Sequence, residues 1–259
     1  MTKQKETNDS TETVSKFKFP SEVVKLPSKG LLYPSTSPLS KGEIEMKYMT
    51  AREEDILTNQ NFIRQGVVLD KLLQSLILTK IDYNDLLIGD KNAIMIAARI
   101  LGYGKDYNFM YDGEEQTVDL SELESQELDE SNLLAPNKNE FKFVLPKSGN
   151  EITFKLLTNK DEKDIENELA GIKKINKNLS PELTTRLKYI ILSINGDYEK
   201  KTIRDFVDNY LLAPDSRALR DYIRKTQPDV ITKFKYVNVD GVEEDIEIPI
   251  TINFFWPDA

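Results

Sequence analysis

Residues 141–172 read FKFVLPKSGNEITFKLLTNKDEKDIENELAGI, and the spacing of the apolar positions changes partway through. Phe141, Phe143 and Leu145 fall at every second position, as do Ile152, Phe154 and Leu156 on the far side of PKSGN. A period of two belongs to a strand with one buried face, so two strands joined by a glycine-containing turn are predicted. Thr158 is then placed to cap a helix in which Ile165, Leu169 and Ile172 share one face. A hairpin followed directly by a helix, each with one apolar side, indicates an α+β fold rather than a bundle or a sandwich.

Working outward toward the N-terminus, the chain becomes mainly helical. Ile44, Met46 and Tyr48 alternate with charged residues and give a half-buried strand. Thr50 with Glu53 three residues later forms a capping box. Leu69, Leu72, Leu73, Leu76 and Ile77 make an apolar helical stripe. Asp90 is expected to cap a further helix that buries Ile94, Ala97, Ala98 and Leu101 and stops near Gly102. LGYGKDY (101–107) lacks a G-x-G-x-x-G pattern and reads as a helix end entering a strand. Tyr107–Tyr111 and Gln116–Leu120 then flank DGEE as a second hairpin.

Toward the C-terminus, Ser180-Pro181 opens a helix whose stripe runs through Leu183, Leu187, Ile190, Ile191 and Ile194 to Asn195-Gly196. Two shorter helices are expected over Thr202–Leu212 and Ser216–Lys225, separated by Pro214-Asp215, with Asp215 or Ser216 as cap. In the last hairpin, cross-strand matching pairs Phe234 with Ile248, Tyr236 with Ile246 and Lys235 with Glu247 across a three-residue loop. Alternation then extends the final strand through Ile250, Ile252 and Phe254 to Trp256, with Pro249 marking a sheet edge. The fold class is therefore α+β: a mainly helical N-terminal half, then β-hairpins with helices and a C-terminal antiparallel hairpin.

Composition divides the chain into five segments. Residues 1–16 hold only Met1 and Val14 as apolar residues and are expected to be a disordered tail with no secretory leader. Residues 17–42, with prolines at 20, 27, 34 and 38, are expected to form an extended strap packed on the chain's own core or on a partner. The helical part covers 43–104, a hairpin and acidic linker 105–138, and an α+β part 139–259.

The chain has no histidine and no cysteine, which removes the usual general base, the usual nucleophile pairs, thiolate ligands and disulfides. No cofactor and no metal are expected, and an intracellular protein without redox chemistry is the simplest reading. No apolar run approaches the length of a membrane span, so no membrane partner is expected. Of the net charge of −9, nine carboxylates lie between Asp112 and Glu130 without one Lys or Arg, leaving the remainder near neutral. That balance does not favour nucleic acid, which needs clustered positive charge. The acidic stretch could supply a carboxylate pair for glycoside hydrolysis or oxygen ligands for a divalent ion. It lacks the Ca²⁺ loop pattern, and a solvated linker explains it more simply. Lys173, Lys174 and Lys177 read as a solvated helix end. Arg217, Arg220 and Arg224 lie at i, i+3 and i+7, either paired internally with Asp221 or offered to a partner.

Four segments in order, LPSKGLLYP (26–34), MTAREEDILTN (49–59), SPELTTRLKYIILSINGD (180–197) and APDSRALRDYI with PDV (213–230) and the terminal FFWPD (254–258), carry a resemblance. Together they resemble the baseplate hub proteins and hub assembly factors of T-even-type contractile-tailed bacteriophages. The resemblance implies a non-enzymatic role in building the tail hub, with other baseplate proteins as partners. It also implies action in the host cytoplasm during assembly or residence in the virion tail baseplate. Some members of the family are expected to carry a cysteine pair in the hairpin after the YG of the helix end. Here that hairpin reads NFMYDGEEQTVDL (108–120), which argues against zinc. The alternative is a tail-associated lytic enzyme using paired carboxylates. Candidate partner-binding residues are Leu31, Leu32 and Tyr33 in the strap, Arg217 and Arg220 on the late helix, and Phe255 at the aromatic end.

Overall fold

The computed structural model describes residues 20–128, 130, 133–177, 180–237, 241–250 and 252–255. The expected tail at 1–16 and the ring of Trp256 lie outside these residues. Within them the chain has an α+β fold of helices and five small antiparallel sheets.

Strand β1 (Ser21–Lys25) pairs antiparallel with β2 (Glu43–Lys47). Between them the strap is not extended. Pro27, Pro34 and Pro38 stand in successive turns, because proline's fixed φ suits turn positions as well as extended ones. Lys29 and Gly30 both have positive φ there, and a Cβ on Gly30 would lie 2.4 Å from Ser40 O. Leu26, Leu32, Tyr33 and Leu39 are buried in the chain's own core.

Helices α1 (Ala51–Leu57), α2 (Gln60–Arg64) and α3 (Val68–Leu76) follow, and the Thr50–Glu53 capping box is formed. Glu53 also reaches beyond its helix: its carboxylate accepts from Lys47 Nζ at 2.8 Å and Ser75 Oγ at 2.7 Å, tying β2, α1 and α3 together. Helix α4 (Ile88–Tyr103) has no exposed residue on any side, which makes it the central helix. It packs against α3, β1 and the C-terminal turn. Asp90 does not cap it. The helix begins two residues earlier, and the Asp90 carboxylate instead accepts from Ser28 N–H (2.9 Å), Ser28 Oγ (2.6 Å) and Tyr33 OH (2.6 Å), anchoring the strap.

Beyond Gly104, strands β3 (Asp106–Tyr111) and β4 (Glu114–Asp119) form the expected hairpin. Asp112 and Gly113 both take positive φ at the two-residue turn that twisted hairpins favour. Strand β5 (Ser125–Gln126) comes next. The opening stretch folds as read: β6 (Phe141–Val144) and β7 (Glu151–Phe154) pair with Phe141 opposite Phe154, and Thr158 caps α5 (Asn159–Ile175) in a box with Asp161.

Helix α6 (Glu182–Ile190) is shorter than its apolar stripe. Ile191–Ile194 leaves the helix to become β8, the third strand beside β7, where β-branched isoleucines fit a pleated surface. Helices α7 (Lys200–Asn209) and α8 (Ala213–Thr226) follow. Pro214 and Asp215 do not separate helices but fill the first turn of α8, where proline's missing N–H costs no hydrogen bond. Neither Asp215 nor Ser216 is its cap.

Strand β9 (Asp229–Val230) pairs with β5, and β10 (Lys233–Val237) pairs with β11 (Glu243–Glu247). The observed register sets Phe234 opposite Ile246 and Tyr236 opposite Glu244, two residues away from the matching expected above. A slip of two keeps every side chain on its face, so alternation alone does not distinguish the two registers. The expected loop falls partly on residues outside those described. The final strand also stops early. After Ile248 N–H donates to Thr232 O, Pro249 has no N–H to continue the ladder, and Ile252–Phe255 forms a 3-10 turn. That turn buries Phe254 and Phe255 together instead of sending them to opposite faces. One contiguous hydrophobic core runs from Leu26 to Phe255.

Candidate partner-docking groove

A groove of about 810 Å³ lies between α6, α8 and the chain from β9 into the last hairpin. Each wall is held by identifiable contacts. The Asp215 carboxylate accepts from the backbone N–H groups of Lys147 (2.7 Å) and Ser148 (3.0 Å), which fixes the start of α8 on the β6–β7 turn. Burial opposes its ionisation, but these N–H donors outweigh burial and hold its pKa below the usual carboxylate range. Tyr222 stacks on Phe143 at 4.7 Å and meets Phe154 edge-on at 5.9 Å. With that side of α8 fixed to the sheet, Arg220, Ile223 and Arg224 line the groove.

The far end of α8 is closed by Gln126, whose amide donates to Arg224 O (2.7 Å) and Gln227 O (2.6 Å). On α6, Leu187 is buried in the core, whereas Leu183, one turn earlier, is 45% exposed at the groove rim. Arg186 is held by Glu162 at 2.6 Å and Glu182 at 3.3 Å. Ile88, Leu157, Ile190, Val230 and the 37% exposed Ile231 are the remaining apolar residues of a lining that also holds Asp229, Lys233, Asp245 and Glu247. Open apolar side chains beside charged ones are a feature that protein-binding surfaces share.

The expected partner-binding residues are not brought together. Arg220 lines the groove, and its Nε donates to Ser216 O at 3.3 Å. Arg217 is on the same helix but outside the groove, 81% exposed and 3.9 Å from Asp221. Leu31 is half-buried, and Leu32 and Tyr33 turn from the strap into the chain's own core. Phe255 is fully buried, with its ring edge-on to Phe254 at 5.2 Å and α4 packed against its turn. As folded, Leu32, Tyr33 and Phe255 are core residues and offer no surface to a partner. Sequence reasoning missed Leu183 and Ile231. Leu183 has the same spacing as the core positions Leu187 and Ile190, so periodicity assigns it inward. Ile231 sits between Val230 and Thr232 and belongs to no alternating or helical pattern.

The acidic stretch lies along β4 and the turns after it. Its carboxylates point mostly to solvent, with Asp119 paired to Lys105 (2.5 Å) and Glu127 to Lys29 (2.9 Å). Among the described residues no group of three His, Cys, Asp or Glu side chains could hold a metal ion. No described helix is long and apolar enough to cross a membrane. Comparison with protein-family models, with characterised proteins and with solved structures gives no match.

Proposed function

We propose that the chain is a non-enzymatic subunit or assembly factor of a contractile-tailed bacteriophage baseplate hub, working through protein–protein contacts with other hub proteins. One observation carries the reading. Two of the segments that resemble hub proteins, 180–197 and 213–230, supply α6 on one side of the groove and α8 with β9 on the other. The other two segments underpin the core: Ser28 and Tyr33 on Asp90, and Thr50 with Glu53. The resemblance thus falls on residues that build the fold and shape this groove. In this reading the protein acts in the host cytoplasm during assembly, and remains in the baseplate if it is a subunit.

Affinity capture of the tagged chain from infected cells, set beside finished virions and assembly intermediates, tests this. Hub proteins should co-purify at one of the two stages. A chain recovered free of baseplate components at both stages would sink the proposal.

A further inference from the structure

We infer that the chain pairs with a second copy of itself through the open edge of β1, the two β1 strands lying antiparallel about a two-fold axis. This goes beyond the hub reading and does not depend on it.

The β1–β2 sheet is closed on one side only. On β2, Glu45 N–H donates to Thr79 Oγ1 at 2.7 Å and Glu45 O accepts from Leu78 N–H at 2.8 Å, so that edge is taken. On β1 the ladder uses alternate residues, as antiparallel pairs do. Tyr48 N–H donates to Pro20 O and Leu26 N–H donates to Gly42 O, one bond at each end of an unbroken register. The even-numbered residues of β1 therefore bond to β2. The N–H and C=O groups of Ser21, Val23 and Lys25 point the other way, and among the described residues nothing bonds them. Pro20 and Pro27, which lack N–H groups, bound this open stretch. Beside it lies a second groove of about 390 Å³, floored by Ile96, Ala97 and Ile100 of α4 and bordered by Leu123. Val23 is 62% exposed at its margin. Open backbone groups next to an apolar floor are what an added strand fits.

The sequence of β1 makes a second copy that strand. Centring the pair on Glu22 would set Glu22 directly against Glu22 of the second copy, and like charges so placed repel. Centring on Val24 would set Ser21 opposite Pro27, which has no N–H to donate. Centring on Val23 sets Ser21 opposite Lys25 and Val23 opposite its own equivalent, so every open N–H and C=O of both strands finds a partner. The exposed valines then cover each other. Val24 of the second copy falls on the face that carries the α4 floor, while Glu22 stays held by the hydroxyl of its own Tyr48. Lys25 is exposed and has no ion pair among the described residues. In this register it arrives opposite Ser21, whose hydroxyl donates to the exposed Glu45 carboxylate at 2.6 Å, so an ammonium approaches a carboxylate. The same patch serves both copies, and the contact closes on itself as a dimer.

Sedimentation equilibrium of the purified full chain tests this. One strand edge and one groove make a small interface, so reversible dimerisation is expected at roughly 10–500 μM. Val23→Lys sets two ammoniums against each other across the axis and should raise the dissociation constant at least about tenfold. Val23→Pro removes a central donor that the β1–β2 ladder does not use, and should do the same. Both variants should melt at the wild-type temperature in dilute solution; if Val23→Pro does not, Val23→Lys carries the test. Lys25→Glu should weaken the dimer, and adding Glu45→Lys should restore it. Amide exchange at Ser21, Val23 and Lys25 should slow as concentration rises, with Glu22 and Val24 unchanged. A chain that stays monomeric to about 1 mM, or a dimer indifferent to Val23→Lys, would overturn the inference. So would a dimer that forms only after residues 1–19 are removed, since the chain's own N-terminal segment would then be the occupant of the edge.

Discussion

The carboxylates of Asp90 and Glu53 are both buried, and their surroundings drive them in opposite directions. Burial pushes the Asp90 pKa up. The donors from Ser28 and Tyr33 offset this only in part, and nearby Asp229 adds to the rise. Its contribution to stability is therefore present at low pH and is lost as pH rises through its folded pKa. Burial also opposes ionisation of Glu53, but donors from Lys47, Thr50 and Ser75 outweigh it and lower its pKa from 4.5 to about 2. For a lowered pKa the sign reverses: the unfolded chain takes up the proton first, so Glu53 stabilises above its unfolded pKa and that contribution disappears as pH falls toward about 2. Glu53→Gln should consequently be less stable than wild type at neutral pH, and the gap should close between about pH 5 and pH 2. Denaturant melts of both proteins across that range check this. A gap that stays constant with pH would mean that ionised Glu53 is not what joins β2, α1 and α3. The capping box was legible because both partners lie within one turn. Lys47 and Ser75 were not, since nothing in a sequence announces that a cap residue will also be reached from a strand and from a second helix.

Elements fail to be legible where one pattern serves two structures. Ile191 and Ile194 fit the helical stripe of α6, yet they stand in β8, and pairing with β7 decides between the two. Phe254 continues the alternation of a strand, but Pro249 ends the ladder before it is reached. The hairpin around Asp112-Gly113 formed where its turn residues placed it, but with a two-residue turn in place of the four-residue DGEE loop, so that Tyr111 pairs with Glu114. Tertiary packing can also reverse an element's intrinsic preference, and Gly89 in the first turn of α4 is such a position. On propensity alone, Gly to Ala in a helix gains up to about 1 kcal/mol. Here an added Cβ would lie 1.8 Å from Pro228 O, a backbone atom at the start of β9. Gly196 provides the contrast: its φ is +83°, and nothing stands within 4 Å of an added Cβ. Gly196→Ala should cost only the left-handed backbone penalty of about 1–2 kcal/mol. Gly89→Ala should cost more than that by forcing α4 and β9 apart. Equilibrium unfolding of the two variants decides the order, and a neutral or stabilising Gly89→Ala would show that the α4–β9 approach is looser than described.

At the scale of the whole molecule, the sequence suggests a helical part ending near 104 and an α+β part beyond it, because local patterns change there. Packing does not follow that change. Helix α4, the centre of the first part, is covered by elements of the second: Asn92 donates to Asp229, and the C-terminal turn lies against its flank. The β3–β4 hairpin is joined to the last hairpin by aromatic edges, with Phe109 to Phe234 at 5.2 Å and Tyr111 to Tyr236 at 4.9 Å. Tyr107 meets Phe254 at 4.8 Å and donates through its hydroxyl to Pro249 O at 2.9 Å. Such contacts span more than a hundred residues and leave no trace in local periodicity, which is why the fold class was readable and its integration was not. A mainly apolar helix that is covered on all sides cannot remain folded in water once half its cover is removed. A fragment ending at residue 104 should therefore lack near-ultraviolet circular dichroism and a cooperative melt, whereas the full chain should unfold in one transition with matching calorimetric and van't Hoff enthalpies. Two resolved transitions in the full chain, with the earlier one reproduced by the isolated fragment, would show that the first part buries α4 sufficiently without the C-terminal turn.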